Sequence, residues 1–200
     1  DSEIYCSQLQ RLGRGRPLYV PGPQRNLPPE YRRDGVAIGN VGRVTPEGIF
    51  DFFFNIYLDA GDPINADNVP EGFYPLKRYV SSDVVYRNFE PGNHVSTASV
   101  QKRDLELSFG LNFIFDCDAP QGAVLALPHG SHLAKLENME HMRRYTAENA
   151  ESWYRHINGY RGRRLANGDL YLVTGVEKAR SWGMAAFQEV KTTSTFQLSF

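Results

Sequence analysis

The sequence predicts an α+β fold in which a mostly antiparallel β-sheet of seven or more strands packs on one long α-helix. Three observations support this prediction. Several stretches alternate between apolar and polar residues, one stretch places apolar residues at helical spacing, and one apolar run is bounded by Gly and Pro. Residues 122–183 contain this apolar run, the helix and a second apolar run. We expect them to form the unit against which the other strands pack.

The size and composition of the chain fit one domain. Its 200 residues are 41% apolar, and twelve Phe and eleven Tyr can supply much of the core. Residues 1–35 are rich in Pro, Gly and Arg, which predicts an extended arm. Residues 36–200 are predicted to form a single α+β domain. The last residues still alternate as in a strand, so we expect the natural protein to continue beyond them.

The charge and the cysteine content exclude some classes of protein. The formal net charge of −1 argues against a general nucleic-acid binder and does not favour binding to an anionic membrane. Cys6 and Cys117 are too few for a disulfide scaffold and lack the spacing of a zinc site. Neither a secretory signal nor an Asn-x-Ser/Thr sequon is present. We therefore expect a cytoplasmic protein without a cofactor, and secretion is not excluded.

The clearest hairpin signal covers residues 36–58. Two runs, 36–44 and 50–58, flank a Thr-Pro-Glu-Gly stretch that is typical of a turn. In the second run, every even position from Phe50 to Leu58 is apolar, whereas the odd positions are mixed. This alternation predicts a strand that is half-buried in an antiparallel sheet.

Further strands are predicted at 83–89, 95–100, 105–115, 122–127, 170–174, 184–190 and 196–200. The alternation is strongest in 105–115, where Gly110 predicts a bulge or bend. Residues 59–79 contain several prolines and are predicted to form a long loop. The Asp and Asn residues of this loop fit no EF-hand spacing, so we interpret them as turn formers and do not favour a calcium site.

One long helix is predicted over residues 139–158. Asn138 is placed to cap its N-terminus and Gly159 to end it. Met and Trp on one face of such a helix are more typical of a core than of a cofactor site. The predicted face of the helix that packs on the core comprises Met139, Met142, Tyr145 or Thr146, Ala150, Trp153, Tyr154 and Ile157.

A candidate metal site follows the apolar run 122–127. His129 and His132 lie close together in the sequence, and Asp116 and Asp118 could add oxygen ligands. Two histidines are fewer than the three or more protein ligands that a zinc site uses, so a loop with hydrogen-bonded histidines is favoured. The alternative is a metal-dependent or hydrolytic enzyme, although Ser131 lies in no Gly-x-Ser-x-Gly motif.

Basic residues cluster around the end of the predicted helix. They could bind a protein or a small anionic ligand, with an aromatic ring stacking on it. The structural interpretation is that cations stabilise the negative end of the helix dipole. If the arginines of the arm lie nearby, the two groups would form one surface. The candidate ligand-binding residues are Arg155, Tyr160, Arg161, Arg163 and Arg164.

Several phrases of the sequence carry a resemblance to a known group. They lie at 17–23 (PLYVPGP), 42–56 (GRVTPEGIFDFFFNI), 91–96 (PGNHVS), 122–130 (GAVLALPHG) and 170–183 (LYLVTG followed by K and SWG). Together they resemble a large group of uncharacterised proteins of mushroom-forming (basidiomycete) fungi, over nearly the whole chain. The resemblance implies a fungal, intracellular protein, and it carries over no catalytic residue because the group has no known activity.

We expect a non-catalytic recognition or regulatory module of a larger fungal intracellular protein, because polar residues converge at no spacing typical of an enzyme. Its partner would be a protein or a small anionic ligand, and not a nucleic acid. One alternative is a membrane-inserting, pore-forming-like β-rich protein, since the strands at 50–58 and 105–115 are amphipathic and long. The other is the enzyme that would use His129 and His132.

Overall fold

The computed structural model describes residues 2–103, 112–188 and 194–200. It confirms an α+β fold in which the paired strands are antiparallel. The helices are α1 (Ser2–Gln10), α2 (Pro29–Asp34) and α3 (Glu140–Arg155), and α3 runs directly into a π-helical turn, His156–Tyr160. The strands are β1 (Asn40–Val44), β2 (Phe50–Asn55), β3 (Val84–Phe89), β4 (Asn93–Ser96), β5 (Val100–Arg103), β6 (Asn112–Cys117), β7 (Gln121–Leu127), β8 (Ser131–Leu136), β9 (Tyr171–Leu172), β10 (Gly175–Lys178), β11 (Gly183–Gln188) and β12 (Ser194–Ser199).

The strands do not form one sheet of seven or more, and that part of the prediction is wrong. Within the described residues they form four three-stranded sheets, with the orders β2-β1-β9, β10-β8-β3, β11-β7-β4 and β12-β6-β5. Alternation along a strand reports which side chains share a face, but it does not report which strands are neighbours. The number and size of the sheets therefore could not follow from the pattern.

Three of the four sheets are successive segments of one three-stranded ribbon. The central run of chain contains β6, β7 and β8, and it pairs on one side with β5, β4 and β3 and on the other with β12, β11 and β10. Short turns at 90–92 and 128–130 separate the segments formed by β3, β8 and β10 from those formed by β4, β7 and β11. The ribbon thus bends between segments, so that different faces of it are covered by different parts of the protein.

The middle segment, β11-β7-β4, is covered on both faces. One face of β7 presents Ala123 and Leu125 to α1, where they pack with Tyr5 and Leu9. The other face presents Val124 and Ala126 to the aromatic side chains of the β12-β6-β5 segment. The predicted burial of residues 122–127 on both sides is therefore confirmed.

The N-terminal residues depart from the predicted extended arm, because they contain α1 and α2. Only the Pro- and Gly-rich part between the two helices lacks regular structure, apart from a single bridge from Val20 to Ile49. Tyr5 and Leu9 lie four residues apart, so α1 presents both to the ribbon, where they are 1% and 3% exposed. This short pattern precedes the first glycine of the chain, and the composition of the whole arm concealed it.

The predicted hairpin of residues 36–58 is confirmed as β1 and β2, with a bulge between Val41 and Gly42. The half-burial predicted for its second strand is wrong, since all six residues of β2 are buried. Phe52 packs against Tyr31 of α2, whereas Phe54 packs edge-to-face against Trp153 of α3. The strand therefore lies inside the main core rather than at its surface.

The long helix is confirmed, with corrections at both ends. Its buried face includes Met142, Tyr145, Trp153 and Ile157, as the spacing predicts. Asn138 is not the cap: Met139 precedes the helix, with no hydrogen bond from a capping side chain. Gly159 does not end it either, because the π-helical turn continues to Tyr160. The left-handed residue that ends this turn is Gly162, with φ of +62°.

Some strand boundaries also differ from the predictions. His132, which was predicted to lie in a loop, lies in strand β8, and the stretch 95–100 is divided between β4 and β5. Of the predicted strand 170–174, only Tyr171–Leu172 is paired. Residues 105–111 of the predicted strand 105–115, with the bend at Gly110, and residues 189–190 lie outside the described residues.

The predicted loop at 59–79 is confirmed and is held by a buried asparagine. Asn65 is 1% exposed, and its amide nitrogen donates to the backbone oxygens of Asn55, Leu58 and Asp59 at 2.9 to 3.1 Å. Its side-chain oxygen accepts from the Asn55 backbone N–H at 2.7 Å. The Asn55 side chain in turn donates to the side-chain oxygen of Asn40 at 2.7 Å. This network joins the loop to the β1–β2 hairpin.

We predict that Asn65→Ala will lower the free energy of unfolding by about 2–4 kcal/mol, because it leaves buried backbone groups of two segments without partners. Urea denaturation followed by circular dichroism measures this change. Asn167→Ala is the matched control, since Asn167 lies in an exposed turn, and it should cost less than about 0.5 kcal/mol. Equal costs for the two variants would contradict the role given to Asn65.

A second prediction concerns the bend of the ribbon at Gly130. Its φ is +73°, and a β-carbon there would lie 2.1 Å from the backbone oxygen of Phe89. Gly130→Ala should therefore destabilise the protein by more than about 3 kcal/mol. Gly72→Ala is the control, because Gly72 has φ of +71° and open space around it, so only the backbone penalty of about 1–2 kcal/mol applies. Thermal melts of the two variants would contradict this reasoning if they were the same.

Candidate binding cleft

The four candidate metal ligands do not come together. His129 hydrogen-bonds Ser181 through Nδ1 at 2.6 Å, and His132 hydrogen-bonds Asn88 through Nδ1 at 2.8 Å. Asp116 accepts from Arg103 and Thr195, and these bonds hold its pKa below the ordinary value. Across the part of the chain that the structure describes, no three His, Cys, Asp or Glu residues, Asp118 included, form a group that could hold a metal ion.

Two of the candidate anion-binding arginines contact other groups of the protein. Arg163 lies 3.7 Å from Asp51, a carboxylate that also accepts from Arg43 at 3.1 Å. The guanidinium of Arg161 lies 5.2 Å from the centre of the Phe53 ring and donates to the Phe53 backbone oxygen. Burial lowers the pKa of Arg161. These contacts join the loop after α3 to the buried strand β2, a structural role that differs from the predicted stabilisation of the helix dipole.

The arginines of the N-terminal segment also bind the protein itself. Arg14 donates to both carboxylate oxygens of Glu177, at 2.9 and 2.7 Å, and its guanidinium lies 3.8 Å from the centre of the Phe89 ring. Glu177 accepts a further hydrogen bond from the buried Ser131. Arg16 donates to the hydroxyl of Tyr171 at 2.6 Å. Arg14 and Arg16 therefore hold this segment on the ribbon and on β9.

Arg155 and Tyr160, in contrast, line an open cleft of about 520 Å³. One wall is the last turn of α3 with the π-helical turn, and the other wall is the stretch 67–72 of the long loop. Arg164 is exposed, with φ of +54°, and is not among the lining residues. The lining residues are Asp67, Val69, Glu71, Gly72, Ser152, Arg155, His156 and Tyr160.

His156 is the lining residue with the most unusual hydrogen bonding. Among the side chains that the structure describes, its Nε2 is the one buried nitrogen or oxygen without a hydrogen-bond partner. The remaining ring nitrogen is therefore the one that bonds the Asn68 backbone. Burial, and next the charge of Arg161, lower the pKa of His156 below 6.5. The ring is consequently neutral at pH 7, with a hydrogen on Nδ1 and a free lone pair on Nε2.

Tyr160 covers this imidazole. Its ring stacks on the His156 ring with centroids 5.4 Å apart and planes 16° apart, yet Tyr160 is 84% exposed. The π-helical turn positions both residues, because it places positions 156 and 160 one above the other at the end of the helix. An exposed aromatic ring on a fixed backbone offers a large contact area to a ligand with little loss of side-chain freedom.

The opposite wall has an unusual backbone. Ala66 and Asp67 are consecutive non-glycine residues with φ of +47° and +56°. Such conformations cost about 1–2 kcal/mol each and persist only where surrounding bonds enforce them. The Ala66 N–H donates to Asp62 at 2.7 Å and the Asp67 N–H to Ala60 at 2.8 Å, immediately after the buried Asn65. These bonds fix Asp67 in the wall of the cleft.

The sequence identified part of this cleft. Arg155 and Tyr160 were candidates because they flank the end of the helix, and His156 lies between them in the sequence. Asp67 and Glu71 were predicted to be ordinary loop residues. The unpartnered Nε2 of His156 has no sequence signal, because it depends on which groups of the distant loop surround the ring.

The membrane-inserting alternative gains no support from the first of its two strands. Both faces of β2 are buried in the main core, including Phe50, Phe52 and Phe54. In the second strand, Phe113 and Phe115 point into the core between two ribbon segments. Within the described residues, no helix is both long and apolar enough to cross a membrane.

Comparison with known proteins leaves the function to be argued from this geometry. The chain matches no protein-family model, no curated protein and no solved structure.

The lowered pKa of His156 predicts how stability depends on pH. Because the folded pKa lies below the unfolded value of 6.5, the unfolded state binds more protons between these two values. Folding stability is therefore complete above pH 6.5 and falls as the pH decreases through that window. Urea denaturation at pH 7.5 and pH 5 should show the native protein losing more stability than His156→Gln, which has no titrating ring. A difference between the two proteins that is independent of pH would contradict this.

Proposed function

We propose that this protein is a non-catalytic recognition module whose ligand binds in the cleft between α3 with its π-helical turn and residues 67–72. The observation that carries the proposal is the unpartnered, buried Nε2 of His156, a residue that lines that cleft. A buried acceptor without a donor costs free energy in the unbound protein. A ligand that donates a hydrogen bond there removes that cost when it binds.

The cleft has further properties of a binding site. Its volume of about 520 Å³ is within the ordinary range for small-molecule sites, about 300–1,000 Å³. Its walls combine an apolar side chain, Val69, with an exposed aromatic ring and a few fixed polar groups. The apolar and aromatic groups provide contact area for a ligand, and the polar groups fix its orientation. The serine that lines it, Ser152, donates to the Asn149 backbone oxygen at 2.8 Å, which supports ligand binding over catalysis.

The setting of the module is a separate proposal. We infer a regulatory part of a larger fungal intracellular protein from the resemblance to basidiomycete proteins. This setting stays a prediction, since no contact in the structure bears on it.

We predict that a screen of small amines, sugars, carboxylates, phosphates and short peptides will find at least one class of compound that binds saturably and is recovered unchanged. The measurements are the melting temperature and the NMR signal of the His156 ring. Ser152→Trp should abolish binding, because Ser152 lines the cleft and an indole there would fill it. Glu148→Trp is the matched control, since it places the same side chain one turn earlier on the exposed face of α3.

Three results would overturn the proposal. A compound converted into a product would show catalysis. A compound that binds equally well to Ser152→Trp would place the site elsewhere. The absence of binding by every class would remove the cleft as a recognition site.

A further inference from the structure

We infer that the cleft recognises an organic cation, such as the ammonium of a lysine side chain or of a free polyamine. This inference rests on the proposed function and names the chemical class of its ligand. It differs from the anionic ligand that the basic residues of this region predict. The reason is that Arg155, Arg161 and Arg163 contact other groups of the protein, and Arg164 does not line the cleft.

The charges that line the cleft are mainly negative. Asp67 and Glu71 both belong to its wall and carry carboxylates. Arg155 is the one lining residue with a positive charge, and it forms an ion pair of 2.6 Å with Glu151, one turn earlier in the same helix. The C-terminal end of α3 with its π-helical turn adds the partial negative charge of the helix dipole. A cation entering the cleft therefore meets attraction, whereas an anion meets repulsion.

Arg161 does not reverse this balance. It is close enough to lower the pKa of His156, but its guanidinium lies over the Phe53 ring and donates to the Phe53 carbonyl. It is absent from the residues that line the cleft. After burial, which is the larger cause, the positive charge of Arg161 also lowers the pKa of His156.

A neutral imidazole with a free lone pair selects between ligand charges. Nε2 of His156 can only accept a hydrogen bond, since the ring hydrogen is used at Asn68. An ammonium or guanidinium group carries N–H donors and no acceptor, so it matches this atom. An ionised carboxylate carries acceptors alone, so it would leave Nε2 unsatisfied and place two lone pairs against each other.

Tyr160 supplies the third element of a cation site. The face of a tyrosine ring attracts an ammonium group placed within about 6 Å of its centre. The ring is 84% exposed, and stacking on His156 holds its orientation. Tyr160 and the acidic residues Asp67 and Glu71 line the same cleft. A cation in the cleft can therefore contact the aromatic face and the carboxylates together.

The test compares cationic with anionic probes on the native protein by isothermal titration calorimetry at low salt. The cations are the peptide acetyl-Gly-Lys-Gly-amide and spermidine, and the anions are acetyl-Gly-Glu-Gly-amide and inorganic phosphate. We expect the cations to bind and the anions not to bind. We also expect affinity to fall as salt is raised, since part of the attraction is between exposed charges.

Variants that remove charges test whether the cation binds at Asp67 and Glu71. The double variant Asp67→Asn, Glu71→Gln should weaken cation binding about tenfold. Asn tolerates the left-handed backbone of position 67 as Asp does, so the fold should be retained, which the melting temperature checks. The control is Glu148→Gln, an exposed acid outside the cleft, which should leave the affinity unchanged. Tyr160→Phe should retain binding and Tyr160→Leu should weaken it, because the ring face is the contacting group.

The outcomes separate this inference from the proposed function. Cation binding that is lost in the double variant supports the inference. Tighter binding of the lysine peptide would then identify a polypeptide partner, and tighter binding of spermidine would identify a free polyamine. If an anion binds and Ser152→Trp abolishes that binding, the cation inference is overturned and the recognition module stands. Cation binding with the same affinity in the native protein and in the double variant also overturns the inference. If no probe of the wider screen binds, both proposals fail.

Discussion

The buried amide of Asn65 is the interaction on which both the main core and the cleft depend. The backbone of residues 55–59 needs hydrogen-bond partners inside the protein. The Asn65 side chain provides them, in place of the neighbouring strand that a β-sheet would supply. A fully satisfied network of this kind fixes one arrangement, because any displacement leaves several buried groups unpaired at once. The loop that begins there is therefore rigid at its start, although it lacks regular structure.

The position of Asn65 in the sequence connects this constraint to the cleft. Ala66 and Asp67 follow it directly and adopt left-handed conformations that neither residue prefers. The network therefore supports a strained stretch of backbone, and that stretch forms one wall of the cleft. The other wall is fixed independently, since Trp153 and Ile157 anchor the end of α3 in the main core. The two walls are consequently set by the same folded unit, and a ligand that binds between them meets a site formed in advance.

Periodicity in the sequence predicted the elements whose environment is local. The hairpin of β1 and β2, the doubly buried β7, the apolar face of α3 and the terminal strand β12 followed from residues close together in the chain. Elements that depend on distant partners were not predictable in the same way. Strand β8 has a polar beginning, and it is a strand because β3 and β10 pair with it on both sides. Helix α1 is short and exists because two of its side chains pack against the ribbon.

In the candidate site, too, the local sequence predicted one part and distant residues determine the rest, including the charge of the cleft. The sequence located the region around Arg155 and Tyr160, but the sign of its charge depends on partners far away along the chain. Arg163 is paired with Asp51, which lies in β2, and Arg161 lies over the neighbouring Phe53. Asp67 and Glu71 approach the end of α3 from a loop about eighty residues earlier. The sequence therefore gives the number of arginines in this region, but it does not show which of them remain available to a ligand. In this protein, Arg161 and Arg163 hold β2, whereas the cleft is lined by two acidic residues, an exposed aromatic ring and a histidine whose buried Nε2 has no partner.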